Sequence, residues 1–251
     1  MLKRVVPILL IKNRELVKSV RFNNHNYIGD VINAVKIYNE LEVDELLIFD
    51  ITAFKSKKEL DYDFLQNLTS ECFVPLTYGG NVDSIEKIEN LLKIGLEKVC
   101  INTKSQNLNF ITEAVDKFGT STICICVDYK YIDNKPIVFY ENGSKSSKRD
   151  AIDTILELSQ RKVGEIILQN IDKDGTYDGY DLNLLEKLRP LIKNPIVMAG
   201  GCCNKEDIKA ALNAGADACA AGSLFVYYTN RRGILINYLD IDDFREIEIK
   251  R

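Results

Sequence analysis

The sequence predicts an α/β protein: a single (β/α)8 barrel, or TIM barrel, built from two similar (βα)4 half-barrels. Three observations lead there. The 251 residues match the length of one such barrel, typically about 250. Short apolar runs alternate with amphipathic stretches from end to end, as doubly buried parallel strands and their covering helices require. The order of these segments also repeats at a spacing of about half the chain.

The predicted strands cover residues 5–11, 45–49, 74–77, 98–101, 122–127, 165–168, 195–198 and 218–221. Helical patterns fall between them at 31–41, 61–71, 84–93, 110–118, 151–161, 182–188 and 205–213. In the first helix, Val31, Ala34, Val35, Tyr38 and Leu41 are spaced for one buried face. Gly95, Gly119, Gly164 and Gly215 each follow a helical run as a stop signal. Particular residues carry the repeat. Glu45 and Glu165 begin similar strands, Gly79-Gly80 recurs as Gly200-Gly201, and Gly95 recurs as Gly215. The barrel is expected over 1–230, with a divergent tail at 231–251 packed on or beside it.

Composition narrows the function. Apolar residues make up 46 % and charged residues 28 %, an ordinary globular balance. A net charge of −4 argues against a nucleic-acid binder. No apolar run reaches the roughly 18 residues of a membrane span, and the basic-then-apolar start reads as a strand, not a leader. The seven cysteines contain no CxxC pair and read as reduced thiols of a cytoplasmic protein. The single histidine, His25, reads as a loop residue. It excludes a multi-histidine metal site, so neither a metal nor a cofactor is expected.

Active sites of these barrels lie at the C-terminal ends of the strands. There the repeat places two Gly-rich turns, each followed by a small or polar strand end: Asn102-Thr103 and Gly222-Ser223. Glycines let backbone N–H groups approach an anion, and hydroxyls add donors. Two such sets suit a long, doubly phosphorylated ligand; plain tight turns are the alternative. Asp174-Gly175-Thr176 adds a carboxylate and a hydroxyl to the same mouth. Asp128 ends the fifth strand, a poor place for an unpaired carboxylate and a good one for a general acid or base. Asp50 ends the second strand in the same way. At the opposite pole Arg4, Glu45, Lys98 and Glu165 begin four strands. They form either a neutral ring over the barrel bottom or four solvated charges.

The chain resembles the cyclase subunit of imidazole glycerol phosphate synthase, HisF, from Leu2 to about Tyr228. The resemblance rests on segments in order: Lys3-Arg4-Val5-Val6-Pro7, Asp44-Glu45-Leu46, Phe49-Asp50-Ile51-Thr52-Ala53, Tyr78-Gly79-Gly80, Ile101-Asn102-Thr103, Val127-Asp128, Ile171-Asp172-Lys173-Asp174-Gly175-Thr176, Gly200-Gly201 and Ser223-Leu224-Phe225. It implies a barrel that takes ammonia from a glutaminase partner at its N-terminal pole. It also implies passage of that ammonia to a doubly phosphorylated substrate at the C-terminal face. It maps an ammonia gate onto Arg4, Glu45, Lys98 and Glu165. It maps phosphate or substrate binding onto Gly80, Asn102, Thr103, Gly175, Gly201 and Ser223. Asp174, Thr176 and Gly222 are added from the mouth, and Glu97, beside Lys98, is expected to touch the partner.

One departure stands out. The family's catalytic aspartates end the first and fifth strands. Asp128 is the second, but Leu10 occupies the first position. Leucine cannot transfer a proton, and general acid–base groups contribute typically 10²–10⁴-fold. Gln169-Asn170, Ala199 and Cys202-Cys203 also depart from the pattern at this mouth. A kept gate with an altered mouth resembles the HisF-like branch linked to acetamidino-sugar modification of bacterial surface glycans. There a separate ATP-dependent sugar amidotransferase uses the ammonia. The alternatives are a working cyclase in histidine biosynthesis, a lyase activity, and a non-catalytic scaffold that activates its glutaminase.

Overall fold

The computed structural model describes residues 2–52, 59–228 and 232–249. Ala53 of the HisF-like segment and the expected boundary at 230–231 lie outside them. The first barrel strand, β1 (Arg4–Lys12), turns at Asn13-Arg14 into a hairpin of β2 (Glu15–Val20) and β3 (Asn23–Asp30). The strands β4 (Leu46–Asp50), β5 (Leu76–Gly79) and β6 (Lys98–Ile101) complete the first half. The second half begins with β7 (Ile123–Ile132), which also turns into a hairpin, β8 (Lys135–Tyr140) and β9 (Lys145–Asp150). It continues through β10 (Glu165–Asn170), β11 (Ile196–Ala199) and β12 (Ala218–Ala221). Parallel pairing runs β1–β4–β5–β6–β7–β10–β11–β12 and returns to β1. That is the closed eight-stranded barrel the sequence predicts.

The apolar residues sort into two layers. Val6, Leu47, Cys100, Cys124, Cys126, Ile167, Val197, Ala199, Ala218 and Ala220 pack together on the barrel axis. Their neighbours along the strands, such as Val5, Leu46, Ile48, Val99 and Ile166, pack outward against the helices. This is the two-residue alternation of strand side chains, with both faces apolar because both are covered. The helices begin where side chains accept the free N–H groups of the first turn. Asp30 and Asp150 cap Val31–Glu40 and Ala151–Ser159, and Asp61 and Asp181 cap Tyr62–Ser70 and Leu182–Leu188. Ser84 and Asn204 cap Ile85–Lys93 and Lys205–Asn213. Each pair is 120 residues apart, so the repeat extends to the caps.

Some expectations fail locally. Leu41 is not on the buried face of the first helix; it is the C-cap and 37 % exposed. The third strand begins at Leu76, two residues later than predicted. His25 lies in β3, not in a loop. β3 carries few apolar residues, and the two hairpin strands are held by pairing to β1 and to each other. Successive positive φ values at Asn13-Arg14 and at Asp133-Asn134 supply the tight turns of the two hairpins.

Beyond β12 the chain forms β13 (Tyr227–Tyr228), paired with β14 (Gly233–Ile234). A short helix, Ile241–Glu246, follows a capping box of Asp240 and Asp243. Phe244 is buried, and Lys205 bridges to Asp243 and Glu246. The described tail thus packs on the barrel beside Lys205–Asn213. No helix among the described residues is long and apolar enough to cross a membrane.

The repeated caps differ in burial. Asp61 is part-exposed and pairs with Arg14. Asp181 is 6 % exposed and also accepts from Tyr129 Oη at 3.0 Å and Tyr131 Oη at 2.9 Å. Asp61→Ala is expected to cost about 1 kcal/mol, an ordinary cap. Asp181→Ala should cost about 3 kcal/mol, because it leaves the buried Tyr129 hydroxyl and Asn170 amide without their acceptor. Urea unfolding of both variants checks the ordering.

Candidate functional site: an axial ion ring and a polar mouth

The four strand-start charges do meet. Arg4 Nη1 donates to Glu45 Oε2, and Arg4 Nη2 donates to Glu165 Oε1 at 2.8 Å. Lys98 Nζ donates to both oxygens of Glu45 at 3.0 Å and to Glu165 Oε1 at 3.2 Å. Thr77 Oγ1 adds a hydrogen bond of 2.7 Å to Glu45. Glu45 and Glu165 are buried, so four solvated charges are ruled out. Burial opposes the charge on Arg4, but Glu165 and Glu45 outweigh it and raise its pKa. The same balance raises that of Lys98. Arg4 Nε is buried without a hydrogen-bond partner among the described residues. The guanidinium is therefore steered by its two terminal nitrogens.

Above the ring the axis is apolar and rich in thiols. Cys124 pairs across the ladder with Glu165. Burial, then Glu165, pushes its thiol well up. Cys126 is raised first by its hydrogen bond with Cys100 and then by burial. Such thiols stay protonated in the closed barrel and react only when it opens to solvent, as expected of packing residues.

The C-terminal mouth opens into a cavity of about 570 Å³. Leu10, Gly80, Asn102, Thr103, Asp128, Asp174, Gly175, Gly201, Gly222 and Ser223 all line it, so the turns of both halves face one space. Thr176 does not line it; its hydroxyl donates to Lys173 O at 2.9 Å and stabilises the turn. Asp50 lines the wall and accepts from Tyr78 Oη at 3.4 Å. Thr103 Oγ1 accepts from Glu141 N at 3.1 Å, which ties the mouth to the second hairpin. Gly201 has φ +104°, and a Cβ there would strike Gly179 O, so only glycine fits.

Asp128 lines the cavity with Cys126 and Asn102 beside it, and Leu10 lines the same cavity from β1. Burial raises its pKa to about 7, against the lowering pull of Cys126 and Asn102. Cys126 Sγ lies 3.3 Å from its Oδ1. A carboxyl poised near 7 can both give and take a proton at neutral pH. Leu10 fills the place opposite with hydrocarbon.

The sequence analysis missed Lys18, on β2. Its amine reaches the mouth, donates to Ile8 O and occupies the space a Cβ on Gly222 would fill. Burial lowers its pKa to about 8, opposed by Asp174. Asp174 accepts from Ser19 Oγ at 3.1 Å and Gln169 Nε2 at 3.2 Å, and burial raises its pKa. The available signal was a lysine inside the apolar run Leu16-Val17-Lys18-Ser19-Val20. Glu97 is exposed and accepts from Leu76 N at 3.1 Å. Asp217 accepts from Ile196 N at 3.0 Å in the equivalent place. Both acids thus anchor a neighbouring strand start.

Asp128 protonates more readily folded than unfolded. Its raised pKa therefore makes stability fall as pH rises from about 4 to about 7, by up to about 1.4 kcal/mol per unit. Lys18 is depressed, so stability rises with pH between about 8 and its ordinary value of 10.5. Asp128→Asn should flatten the first slope and Lys18→Met the second, read by denaturant unfolding across pH.

Comparison with known proteins bears on the family. The family model described as "Histidine biosynthesis protein" matches residues 4–231. A protein from Pseudomonas aeruginosa, provisionally named imidazole glycerol phosphate synthase subunit hisF2, is 39 % identical over 96 % of this chain and 97 % of its own. A provisionally named hisF3 subunit from Vibrio vulnificus is 39 % identical over 94 % and 92 %. The imidazole glycerol phosphate synthase subunit HisF of Campylobacter concisus is 36 % identical over 89 % of each chain.

Proposed function

Because the chain belongs to the histidine biosynthesis protein family, as a divergent HisF-like member, we propose that it is the synthase subunit of a glutamine-dependent complex. It accepts ammonia from a glutaminase at the N-terminal pole and conducts it past Arg4, Glu45, Lys98 and Glu165. The ammonia emerges at the mouth, where Gly80, Asn102 and Thr103 from one half and Gly175, Gly201, Gly222 and Ser223 from the other hold a phosphorylated molecule. The use of this ammonia is acetamidino modification of a surface sugar, completed by a separate ATP-dependent amidotransferase.

One observation carries the proposal: a complete, buried ion ring beneath a mouth in which Leu10 stands where the resemblance implies the carboxylate partner of Asp128. Buried charge is costly and replaceable by hydrocarbon, so a ring kept where the chemistry above is altered points to transport. The N-terminal pole supports a docked partner. Leu2, Leu41, Phe73 and Leu191, which all precede barrel strands, are exposed there, and Glu97 adds charge at its rim.

A second reading, a working cyclase, is favoured by Lys18, whose amine titrates near 8 beside the same cavity. Ammonium-driven turnover of the doubly phosphorylated histidine-pathway intermediate separates the two. Wild type is expected to be inactive, and Leu10→Asp to gain roughly 10²-fold or more over it. Substantial wild-type turnover that Lys18→Met removes would overturn the conduit proposal in favour of the cyclase.

A further inference from the structure

The ring is built on four strands, and one of its seams is held differently from its counterpart. In the second half, β7 and β10 pair from the base upward: Glu165 faces Cys124 in the ladder, and Gly164 N donates to Ile123 O at 2.9 Å. In the first half the β1–β4 ladder begins higher, at Ile8 opposite Leu47. Below that level β1 pairs with β12, Arg4 lying opposite Ala218. At the height of the ring, the β1–β4 seam is bridged by side chains. Asp44 Oδ2 accepts from Val5 N at 2.9 Å. Tyr238, from the C-terminal tail, donates its hydroxyl to Val5 O at 2.6 Å and accepts from Asp44 N at 3.5 Å.

Val5 and Asp44 adjoin Arg4 and Glu45, so Tyr238 clasps the two backbone positions that carry one edge of the ring. The tyrosine is itself fixed from the tail. Its ring packs against Phe225 and Phe244, with centroids 5.2 and 5.7 Å away, and both phenylalanines are buried. Arg4 is steered toward Glu45 and Glu165 by its terminal nitrogens, so a small parting of β1 from β4 pulls directly on that contact. We infer that Tyr238 is a positioning residue for the ring: its hydroxyl holds β1 against β4, and through them sets how tightly Arg4 and Glu45 close the base of the barrel. This rests on the proposal that the ring is the entry to an axial conduit. It gives the divergent tail a role in that conduit beyond covering the barrel wall.

Cys124 reports on the seal. It is 1 % exposed, lies beside Glu165 just above the ring, and is absent from the lining of the mouth cavity, where Cys100 and Cys126 stand. Its thiolate attacks methyl methanethiosulfonate, forming a methyl disulfide and releasing methanesulfinate. Brief pulses of this small neutral reagent on the full chain, followed by peptide mass spectrometry, give each cysteine's rate. Cys100 and Cys126 report entry from the mouth, and Cys219, 0 % exposed in the outer layer, reports global opening. Tyr238→Phe keeps the ring packing and removes the clasp. It should raise the Cys124 rate roughly fivefold, the worth of one hydrogen bond, with Cys219, Cys100 and Cys126 unchanged. Arg4→Ala, which opens the ring directly, should raise the Cys124 rate at least as much. If Arg4→Ala exposes Cys124 and Tyr238→Phe does not, Tyr238 does not position the ring, although the ring still seals. A parallel rise of Cys124 and Cys219 in Tyr238→Phe would reduce the tyrosine to general stability. If neither variant exposes Cys124, the ring is not a seal, and the conduit proposal fails with the inference.

Discussion

Two carboxylates buried on the axis of a barrel require cations, and Arg4 and Lys98 supply them from two other strands. Much follows from that constraint. Each cation touches both glutamates, so β1, β4, β6 and β10 are linked below the apolar layer. The inward register of these strands is then set: with a period of two, a one-residue slip would turn an ionised side chain toward the helices. The residues two steps higher, Val6, Leu47, Cys100 and Ile167, are all axial apolar groups. Two steps higher again stand Ile8, Phe49, Asn102 and Gln169, all at the mouth.

The mouth is governed by the opposite situation, charge without full compensation. Asp128 and Lys18 are both buried, and burial drives each toward its neutral form. Their pKa values, about 7 and about 8, leave each group near its titration range at neutral pH. A phosphorylated ligand would change the balance, favouring the charged amine. The Gly-rich turns of both halves line this one cavity.

The two halves are copies in their caps, glycines and hairpins, yet they have diverged in how their parts are secured. Asp61 and Asp181 cap equivalent helices, but only Asp181 is drawn into a buried network with Tyr129, Tyr131 and Asn170. The seam beside Glu165 is closed by a backbone ladder, and the seam beside Glu45 by Asp44 and Tyr238. The tail after β12 therefore secures the β1–β4 seam through Tyr238, while its helix packs beside Lys205–Asn213.

The barrel, its repeat, the ring members and most of the mouth were legible in the sequence. They depend on period-two and period-3.6 patterns and on residue types whose burial demands a partner. The hairpins were not legible, because β3 is largely polar and is held by cross-strand pairing, which no local pattern announces. Lys18 and His25 were misjudged or missed with them, and Thr176 was expected at a surface it does not reach. Sequence alone determined which charges lie at which pole, since alternation and strand order settle it, and the resemblance to HisF implied a carboxylate where Leu10 stands. Only the tertiary structure decided that the four charges close on one another, that Lys18 shares the cavity of Asp128, and that Tyr238 clasps β1 to β4. Each joins residues distant along the chain, and their meeting depends on barrel closure and side-chain direction.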